Sequence, residues 1–174
     1  MKKNLAILTA IFLVCSVFII SCSKDENSSG SSTLQLRLTD APTALDSVFV
    51  DIQQVRVKMQ DDSTDNGWID LNTNAGIYNL LQLQNGVDTL LATGTLASGT
   101  VKEIRFILGS QNRVVASGVS YPLTIPSGSE SGLKIKVSKK LNATLETLLI
   151  DFDAALSVRQ EGNGYKLRPV LKVK

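Results

Sequence analysis

Thr33-Leu34-Gln35-Leu36-Arg37-Leu38-Thr39 is the stretch of sequence that decides the fold class. Its leucines alternate with polar residues at a period of two, which predicts a strand with one buried face and one face toward solvent. Far along the chain, Thr144 to Phe152 is apolar on both parities, as in a central strand that is covered on both faces. Two such patterns in one chain predict a β-sheet protein with a buried core.

The apolar pattern changes parity inside one long segment. The aliphatic residues from Val48 to Ile52 occupy even positions, whereas those from Val55 to Met59 occupy odd positions. A strand cannot move its apolar face to the other side without a bulge or a bend. We therefore predict a bulge or a bend at Gln53-Gln54.

Turn residues separate the next apolar segments. Asn66-Gly67 is a turn signal that leads into Trp68 to Leu71, which we expect to pair back on the preceding strand. Ala97-Ser98-Gly99 lies between the strand patterns Leu90 to Leu96 and Thr100 to Leu108. This arrangement predicts a hairpin at residues 97–99.

The remaining segments are shorter and less regular. Ile77 to Leu83 fits a short helix or a strand equally well. The last strand pattern, Tyr165 to Val173, contains Pro169, which cannot donate to a ladder, so this strand is at an edge or is bulged. About nine or ten short strands, with turns roughly every 8–12 residues and almost no helical period, predict a single-domain antiparallel β-sandwich.

The N-terminus has the pattern of a bacterial lipoprotein signal. The apolar run Leu5 to Ile20 follows two lysines and would reach about 24 Å as a helix, which is short of a roughly 30 Å hydrocarbon core. Ile19-Ile20-Ser21-Cys22 resembles the lipobox, in which the small Ser21 suits cleavage and the thiol of Cys22 would accept diacylglycerol. A permanent membrane span and an ordinary signal peptide that contains cysteines are the weaker alternatives.

Charged and small polar residues follow the lipobox. Lys24, Asp25 and Glu26 resemble the lysine-plus-two-acids signal that sends lipoproteins to the outer face of the outer membrane in one group of Gram-negative bacteria. A charged, solvated linker would look similar. Asn27 to Ser32 is a flexible polar tether. These features divide the chain into a lipoprotein signal peptide at 1–21, a lipidated tether at 22–32 and a β-sandwich domain at 33–174.

Composition excludes several classes of function. Removing residues 1–21 leaves 16 of the 18 basic residues against 16 acidic ones, so the mature chain is neutral and lacks the basic footprint of a nucleic-acid-binding protein. Both cysteines precede the domain, and the chain has no histidine. These absences exclude Ser-His catalysis, imidazole zinc sites and disulfides within the domain. We expect a non-enzymatic protein without a cofactor.

Three carboxylates are weak candidates for a cation site. Asp151 and Asp153 follow an apolar run, and Asp40 ends the first strand. Oxygen ligands of this kind suit calcium. The favoured interpretation is structural, because aspartates cap turns at strand ends and these would pair with Arg168 or a strand lysine. We predict no metal site. A carboxylate-based glycoside hydrolase is a remote alternative.

Exposed aromatic residues are the candidates for ligand contact. The pool is small, and we assign Trp68 to core packing because it heads a strand beside apolar residues. Tyr78 and Tyr121 lie near loops and are the better candidates for contact with a glycan or a protein ligand; Tyr165 is the fourth aromatic in the pool.

Several stretches resemble the family catalogued as domain of unknown function 4382, which is found in envelope lipoproteins. These stretches cover nearly the whole domain in order: Leu38 to Pro42, Gly67 to Leu71, Asn79 to Leu83, Gly99 to Leu108, Ser127 to Lys134, Asp151 to Ala154 and Tyr165 to Val170. The resemblance implies an immunoglobulin-like or transthyretin-like sandwich with no assigned activity.

Taken together, these patterns predict a lipid-anchored protein of the bacterial cell envelope, located at the outer membrane; they leave open whether the domain faces the cell surface or the periplasm. Its partners would be the membrane, through the lipid on Cys22, and a glycan or protein ligand. The β-sandwich would be a non-catalytic binding or structural module. A second hypothesis is a fimbria-like or assembly subunit that pairs with a partner through an edge strand, with Tyr165 to Lys174 as the candidate edge.

Overall fold

The computed structural model describes residues 30–41, 44–60, 66–125, 132–142 and 144–174. The predicted signal peptide, Ser21, Cys22 and the charged run Lys24-Asp25-Glu26 lie outside the described residues. Within these described ranges, neither of the two short helices has the length or the apolar run that is needed to cross a bilayer.

Short strands make up most of the described chain. A 3₁₀ helix spans Leu80–Leu83, and a one-turn helix, α1, spans Ala154–Ser157. The strands are β1 Ser31–Thr39, β2 Ser47–Lys58, β3 Trp68–Asp70, β4 Asn72–Thr73, β5 Gly76–Asn79, β6 Thr89–Ala97, β7 Gly99–Leu108, β8 Arg113–Ala116, β9 Val119–Thr124, β10 Leu133–Leu141, β11 Leu145–Phe152, β12 Val158–Glu161, β13 Gly164–Leu167 and β14 Leu171–Val173.

The strands form two packed sheets, which confirms the all-β sandwich. One sheet has the order β14-β11-β1-β6-β4, and the other has the order β10-β7-β2-β8-β9-β13-β12, with β3 and β5 also paired to β2. The sheets are mixed rather than purely antiparallel, since β1 pairs with β11 and β9 with β13 in parallel. Each parallel pair joins strands far apart in the chain, because a parallel pair cannot be closed by a tight turn.

The core lies between the two sheets and is aliphatic. The alternating leucines of β1 are fully buried, as the opening pattern predicts. Strand β11 lies inside its sheet, between β14 and β1, but it is continuously buried only over Ile150 to Phe152. The prediction of a central strand is therefore confirmed for position, while coverage of both faces is limited to the end of the strand.

The predicted irregularity at Gln53-Gln54 is confirmed as a register shift of β2 against β7. The buried carboxylate of Asp51 lies beside it and accepts the backbone N–H of Gln111 at 3.1 Å, while its backbone carbonyl accepts the N–H of Gly109 at 2.8 Å. A Cβ on Gly109 would lie 2.1 Å from Asp51 Oδ2, so only glycine allows this close approach. Strand β3 pairs back on β2, as Asn66-Gly67 predicts.

The prediction of a hairpin at residues 97–99 is wrong. Strand β6 belongs to the β1 sheet, whereas β7 belongs to the β2 sheet, so Ala97-Ser98-Gly99 carries the chain from one sheet to the other. The backbone N–H of Ser98 donates to the carbonyl of Gly30 at 2.8 Å, which places this crossover beside the start of the domain. A short turn between two strands predicts a hairpin only where the strands share a sheet.

Three boundaries differ from the expected ones. The segment Ile77 to Leu83, which fitted a helix or a strand, divides into β5 and the 3₁₀ helix. The last strand pattern divides around Pro169 into β13 and β14, which lie in different sheets. Strand β1 begins at Ser31, two residues before the predicted domain boundary, because Ser31 and Ser32 pair with the end of β6.

Candidate functional site

The parallel pairing of β1 with β11 brings two of the predicted carboxylates together. Thr39 pairs with Asp151, so Asp40 at the end of β1 lies beside it, and Asp153 follows β11. All three are buried: Asp40 is 2% exposed, Asp151 is 4% exposed and Asp153 is 6% exposed. We call them the carboxylate cluster.

Backbone and side-chain donors occupy Asp40. Its Oδ1 accepts the backbone N–H of Ala154 at 2.8 Å, and its Oδ2 accepts the side-chain amide of Gln84 at 3.0 Å. Burial is the main cause that raises the pKa of Asp40, and the charge of Asp151 adds to it, whereas these hydrogen bonds lower it. Asp40 therefore joins α1 to the 3₁₀ helix region.

Lys172 in β14 and Lys174, directly after it, pair with the rest of the carboxylate cluster. Lys172 Nζ lies 3.2 Å from Asp153 Oδ2, and Lys174 Nζ lies 3.0 Å from Asp151 Oδ2. Asp153 also caps α1 by accepting the backbone N–H of Leu156 at 3.0 Å. The strand-lysine alternative is thus the observed one. In the described ranges, no group of three acidic residues is arranged to hold a metal ion.

Tyr78, the first candidate for ligand contact, is committed to the fold. It lies in β5 opposite Val50 of β2, and its half-buried ring packs against the core. Its hydroxyl donates to the backbone carbonyl of Asn74. Burial raises the pKa of Tyr78. These contacts leave Tyr78 poorly suited to bind a ligand.

Tyr121, the second candidate, meets a tyrosine that the prediction did not select. Strand β13 pairs in parallel with β9, with Tyr165 opposite Leu123, so Tyr121 and Tyr165 share a face of the sheet. The two ring centroids are 5.0 Å apart, and the rings are tilted by 50°. This is a favourable aromatic arrangement, and it fixes both rings at one place on the surface.

The two tyrosines line an open depression of about 230 Å³ between β9 and the β12–β13 hairpin. We call it the tyrosine depression. Thr124, Asn163 and Lys166 contribute a hydroxyl, an amide and an ammonium group. The lining therefore combines two aromatic rings with several hydrogen-bonding groups.

Glu161 is the one acidic residue among the described residues that line the tyrosine depression. Its Oε2 lies 2.5 Å from Lys166 Nζ, and its Oε1 lies 2.8 Å from Arg168 Nη2. The hydrogen bond from Lys166 is the main cause that lowers the pKa of Glu161. Arg168 thus pairs with the rim of the tyrosine depression and not with the carboxylate cluster.

Trp68 packs against cations rather than inside the aliphatic core. The guanidinium carbon of Arg105 lies 4.1 Å from its ring centroid, and the ammonium groups of Lys58 and Lys134 lie 5.9 and 5.8 Å from it. Lys58 is fully buried and Arg105 is nearly so. The prediction that Trp68 packs in the aliphatic core is therefore wrong about its neighbours. The alternating pattern shows which face of a strand is buried but not which side chains cover it.

The sequence pattern missed Tyr165, Glu161 and Asn163 as members of a site. One signal was present: Gly162-Asn163-Gly164 marks a turn directly before Tyr165. No local signal joins that turn to Tyr121, because β9 and β13 are some forty residues apart and pair only in the folded chain.

Comparison with known proteins identifies the family and no more. No curated protein and no solved structure matches the chain. The immunoglobulin-like or transthyretin-like assignment therefore stays a prediction. One family model matches residues 31–169, which is nearly the whole described domain. The chain belongs to the family described as a domain of unknown function (DUF4382).

Proposed function

We propose that this chain is a lipid-anchored protein of the bacterial envelope whose β-sandwich is a non-catalytic, glycan-binding module. The anchor is supported by the lipobox-like Ile19-Ile20-Ser21-Cys22 after an apolar run, with Cys22 as the lipid attachment site. Lys24, Asp25 and Glu26 support export to the outer face of the outer membrane. Two or more acyl chains on Cys22 would hold the domain stably at the membrane.

The pairing of Tyr121 with Tyr165 is the single observation that carries the binding role. A tyrosine ring offers an apolar face with a polar edge. A pyranose has complementary surfaces, with C–H groups on its faces and hydroxyls around its rim. The two rings in the tyrosine depression would contact the sugar face, and the amide of Asn163 and the hydroxyl of Thr124 would meet sugar hydroxyls.

Charge distinguishes a glycan from other ligands that stack on aromatic rings. Nucleic acids bind basic surfaces, but Glu161 lies on the rim of the tyrosine depression and the mature chain is neutral. A glycoside hydrolase needs a pair of carboxyl groups about 5–9.5 Å apart across the substrate. Glu161 is the one carboxylate among the described lining residues, and it is already paired with two cations. These features favour binding without hydrolysis.

The binding role is tested by Tyr121→Leu and Tyr165→Leu, which keep apolar bulk but remove the flat ring. We expect the wild-type chain to give signals on an array of microbial, plant and host oligosaccharides. Each variant should lose about tenfold or more in affinity for the best oligosaccharide, because two stacking contacts define the site. Titration calorimetry measures the affinities, and circular dichroism verifies the fold.

Tyr78→Phe is the matched control, because Tyr78 lies outside the tyrosine depression and its hydroxyl bonds within the chain. It should leave glycan affinity unchanged. An array without signal for the wild type, or equal losses in Tyr78→Phe and Tyr121→Leu, would count against the proposed site.

The anchor is tested by Cys22→Ala expressed in a Gram-negative host. The wild type should partition into the detergent phase, and the variant should move to the aqueous phase, because it lacks the acceptor thiol. Mass spectrometry of the wild-type N-terminus should show an acylated cysteine. An unmodified N-terminus, or the same detergent partition for both proteins, would show that this part of the proposal is wrong.

A further inference from the structure

Two arginines border the tyrosine depression, one on each side. Arg113 of β8 lies directly opposite Pro122 of β9, and Arg159 of β12 lies directly opposite Lys166 of β13. Residues that lie directly opposite each other in antiparallel strands share a face of the sheet. Because Pro122 and Lys166 line the tyrosine depression, both arginine side chains leave the sheet on the face of these lining residues.

This face of the sheet is turned away from the core. Leu123 and Leu167 are buried on the opposite face, whereas Arg159 is exposed. Tyr121 and Tyr165 pack against the core beside these leucines. The tyrosines therefore form the inner side of the depression, and the arginines flank its outer side.

The guanidinium groups of both arginines are available to a ligand. Within the described ranges, neither group pairs with a carboxylate. The guanidinium carbon of Arg113 lies 3.9 Å from the ring centroid of Phe49. A stacked guanidinium keeps the N–H groups along its edge for hydrogen bonds. Since Arg159 is exposed, each arginine can bind an oxyanion without the loss of an ion pair.

Glu161, the acidic residue of these four strands, does not cancel the charge of the arginines. It pairs with Lys166 and Arg168, so those two cations are already engaged within the chain. Strands β8, β9, β12 and β13, together with Arg168, contain four cations and one carboxylate, which gives this surface a formal charge of +3. The mature chain as a whole is neutral, so its basic residues are unevenly distributed.

The separation of the two arginines suits a chain of sugars. In the sheet order β8-β9-β13-β12, three strand-to-strand steps lie between Arg113 and Arg159. At about 4.8 Å a step, and with an offset of two residues along the strands, their Cα atoms are roughly 16 Å apart. A monosaccharide is too small to reach both groups, whereas a short oligosaccharide can contact both while its middle units lie at the depression.

We propose that the tyrosine depression binds an acidic oligosaccharide, whose uronate, sulfate or phosphate groups are held by Arg113 and Arg159. The planar fork of arginine forms two parallel hydrogen bonds with such oxyanions, and these are stronger than bonds between neutral groups. The acidic class refines the proposed glycan-binding role of the same site and depends on that role. A nucleic acid fits this surface less well, because it carries a phosphate at every nucleotide and Glu161 lies on the rim.

The test uses the full chain in uncharged detergent micelles and an array of tetrasaccharides built on glucose, galactose or mannose. Each backbone is present in a neutral form and with a carboxylate, a sulfate or a phosphate at C6, which distinguishes the three oxyanions. At least one acidic form should bind about tenfold or more tightly than its neutral parent, because two charge-assisted contacts are added. Its affinity, measured by titration calorimetry, should fall as salt is raised.

Arg113→Gln and Arg159→Gln each remove one positive charge beside the depression. Each should weaken the best acidic tetrasaccharide about three- to tenfold and leave the neutral parent within about twofold, because the lost contact is to the acidic group alone. Circular dichroism verifies the fold of both variants. If Arg113→Gln does not fold without its contact to Phe49, Arg159→Gln still decides the outcome, since Arg159 is exposed.

Arg56→Gln is the matched control, because it removes the same charge from another part of the sheet. Arg56 lies in β2, pairs with Asp70 and does not line the depression, so the loss should stay below about twofold. Tyr121→Leu, in contrast, should weaken the acidic and the neutral forms alike, because contact with the ring does not depend on the charge of the sugar.

The possible outcomes separate the acidic class from the glycan-binding role. Equal affinity for neutral and acidic forms, with losses for both in Tyr121→Leu, would overturn the acidic class and leave the glycan-binding role standing. Absence of binding by every form on the array would overturn both. Equal losses in Arg159→Gln and Arg56→Gln would overturn the acidic class, as would a single-stranded oligonucleotide that binds more tightly and displaces the tetrasaccharide.

Discussion

The carboxylate cluster and the tyrosine depression each contain a carboxylate that pairs with a lysine, but the first is buried in the domain and the second is open to solvent. In the carboxylate cluster, Asp40 and Asp153 are buried and bonded to backbone N–H groups and to side chains of the same domain. In the tyrosine depression, Tyr121 and Tyr165 border an open space. Residue type suggests a chemistry, and burial decides whether that chemistry serves the fold or a ligand.

The pKa of an acidic residue is shifted in opposite directions in the two regions. Burial raises the pKa of Asp40, so the folded environment opposes its charge. The hydrogen bond from Lys166 lowers the pKa of Glu161, so that environment favours its charge. An acidic residue in the interior is held for its hydrogen bonds, while an acidic residue on the rim remains ionised.

The largest expected effect that separates the two regions is on stability. Asp40→Ala should lower the free energy of unfolding by about 2–3 kcal/mol, because it leaves the buried N–H of Ala154 without an acceptor and removes one of the two acceptors of the Gln84 side-chain amide. Urea denaturation measures this change. Asp70→Ala is the control, since Asp70 pairs with Arg56 but its side chain is 54% exposed. That control should cost less than about 1 kcal/mol; equal losses would show that burial is not the deciding factor.

A smaller effect concerns pH, and its sign differs between the regions. The pKa of Asp40 is raised on folding, so its contribution to stability is full below the unfolded value of 3.8 and is lost as pH rises through the folded pKa. The pKa of Glu161 is lowered, so its contribution is present above the unfolded value of 4.5 and is lost as pH falls through the folded pKa.

Asp40→Asn and Glu161→Gln each remove one of these contributions. The stability difference between wild type and Asp40→Asn should shift in favour of the wild type as pH falls. The stability difference between wild type and Glu161→Gln should shift in favour of the wild type as pH rises. Urea denaturation across the acidic range measures both. Shifts of the same sign in the two variants would contradict the contrast between the regions.

The smallest expected effect compares the two tyrosines that the sequence singled out. Tyr78→Phe should lower the free energy of unfolding by about 0.5–1 kcal/mol, because it removes the hydrogen bond to the carbonyl of Asn74. Tyr121→Phe keeps the ring beside Tyr165 and should change stability by less than about 0.5 kcal/mol. Thermal unfolding of the two variants and the wild type in one scan series tests whether Tyr78→Phe loses more stability than Tyr121→Phe.

Local patterns in the sequence predicted local structure well. The parity change located the register shift of β2, and Asn66-Gly67 located the return of β3, because both signals depend on neighbours within a few residues. The prediction of a hairpin at residues 97–99 was wrong because it depended on contacts between distant parts of the chain. A turn signal describes the chain reversal but contains nothing about the sheet to which each strand belongs.

Part of the candidate site was also predictable from local sequence patterns. Tyr121 was selected because it lies near a loop, and the turn before Tyr165 was visible. Their contact was not, since it depends on a parallel pair of strands from distant parts of the chain. The carboxylates of Asp40 and Asp151 likewise come together only because β1 pairs with β11.

The sequence by itself determined that the domain is built from strands and that chemistry based on histidine is excluded. Side-chain alternation is a property of adjacent residues, and composition needs no fold at all. The tertiary structure alone decided which strands share a sheet, which carboxylates are buried and which two tyrosines meet. Those outcomes depend on pairing between distant segments, where burial of aliphatic faces outweighs any local preference.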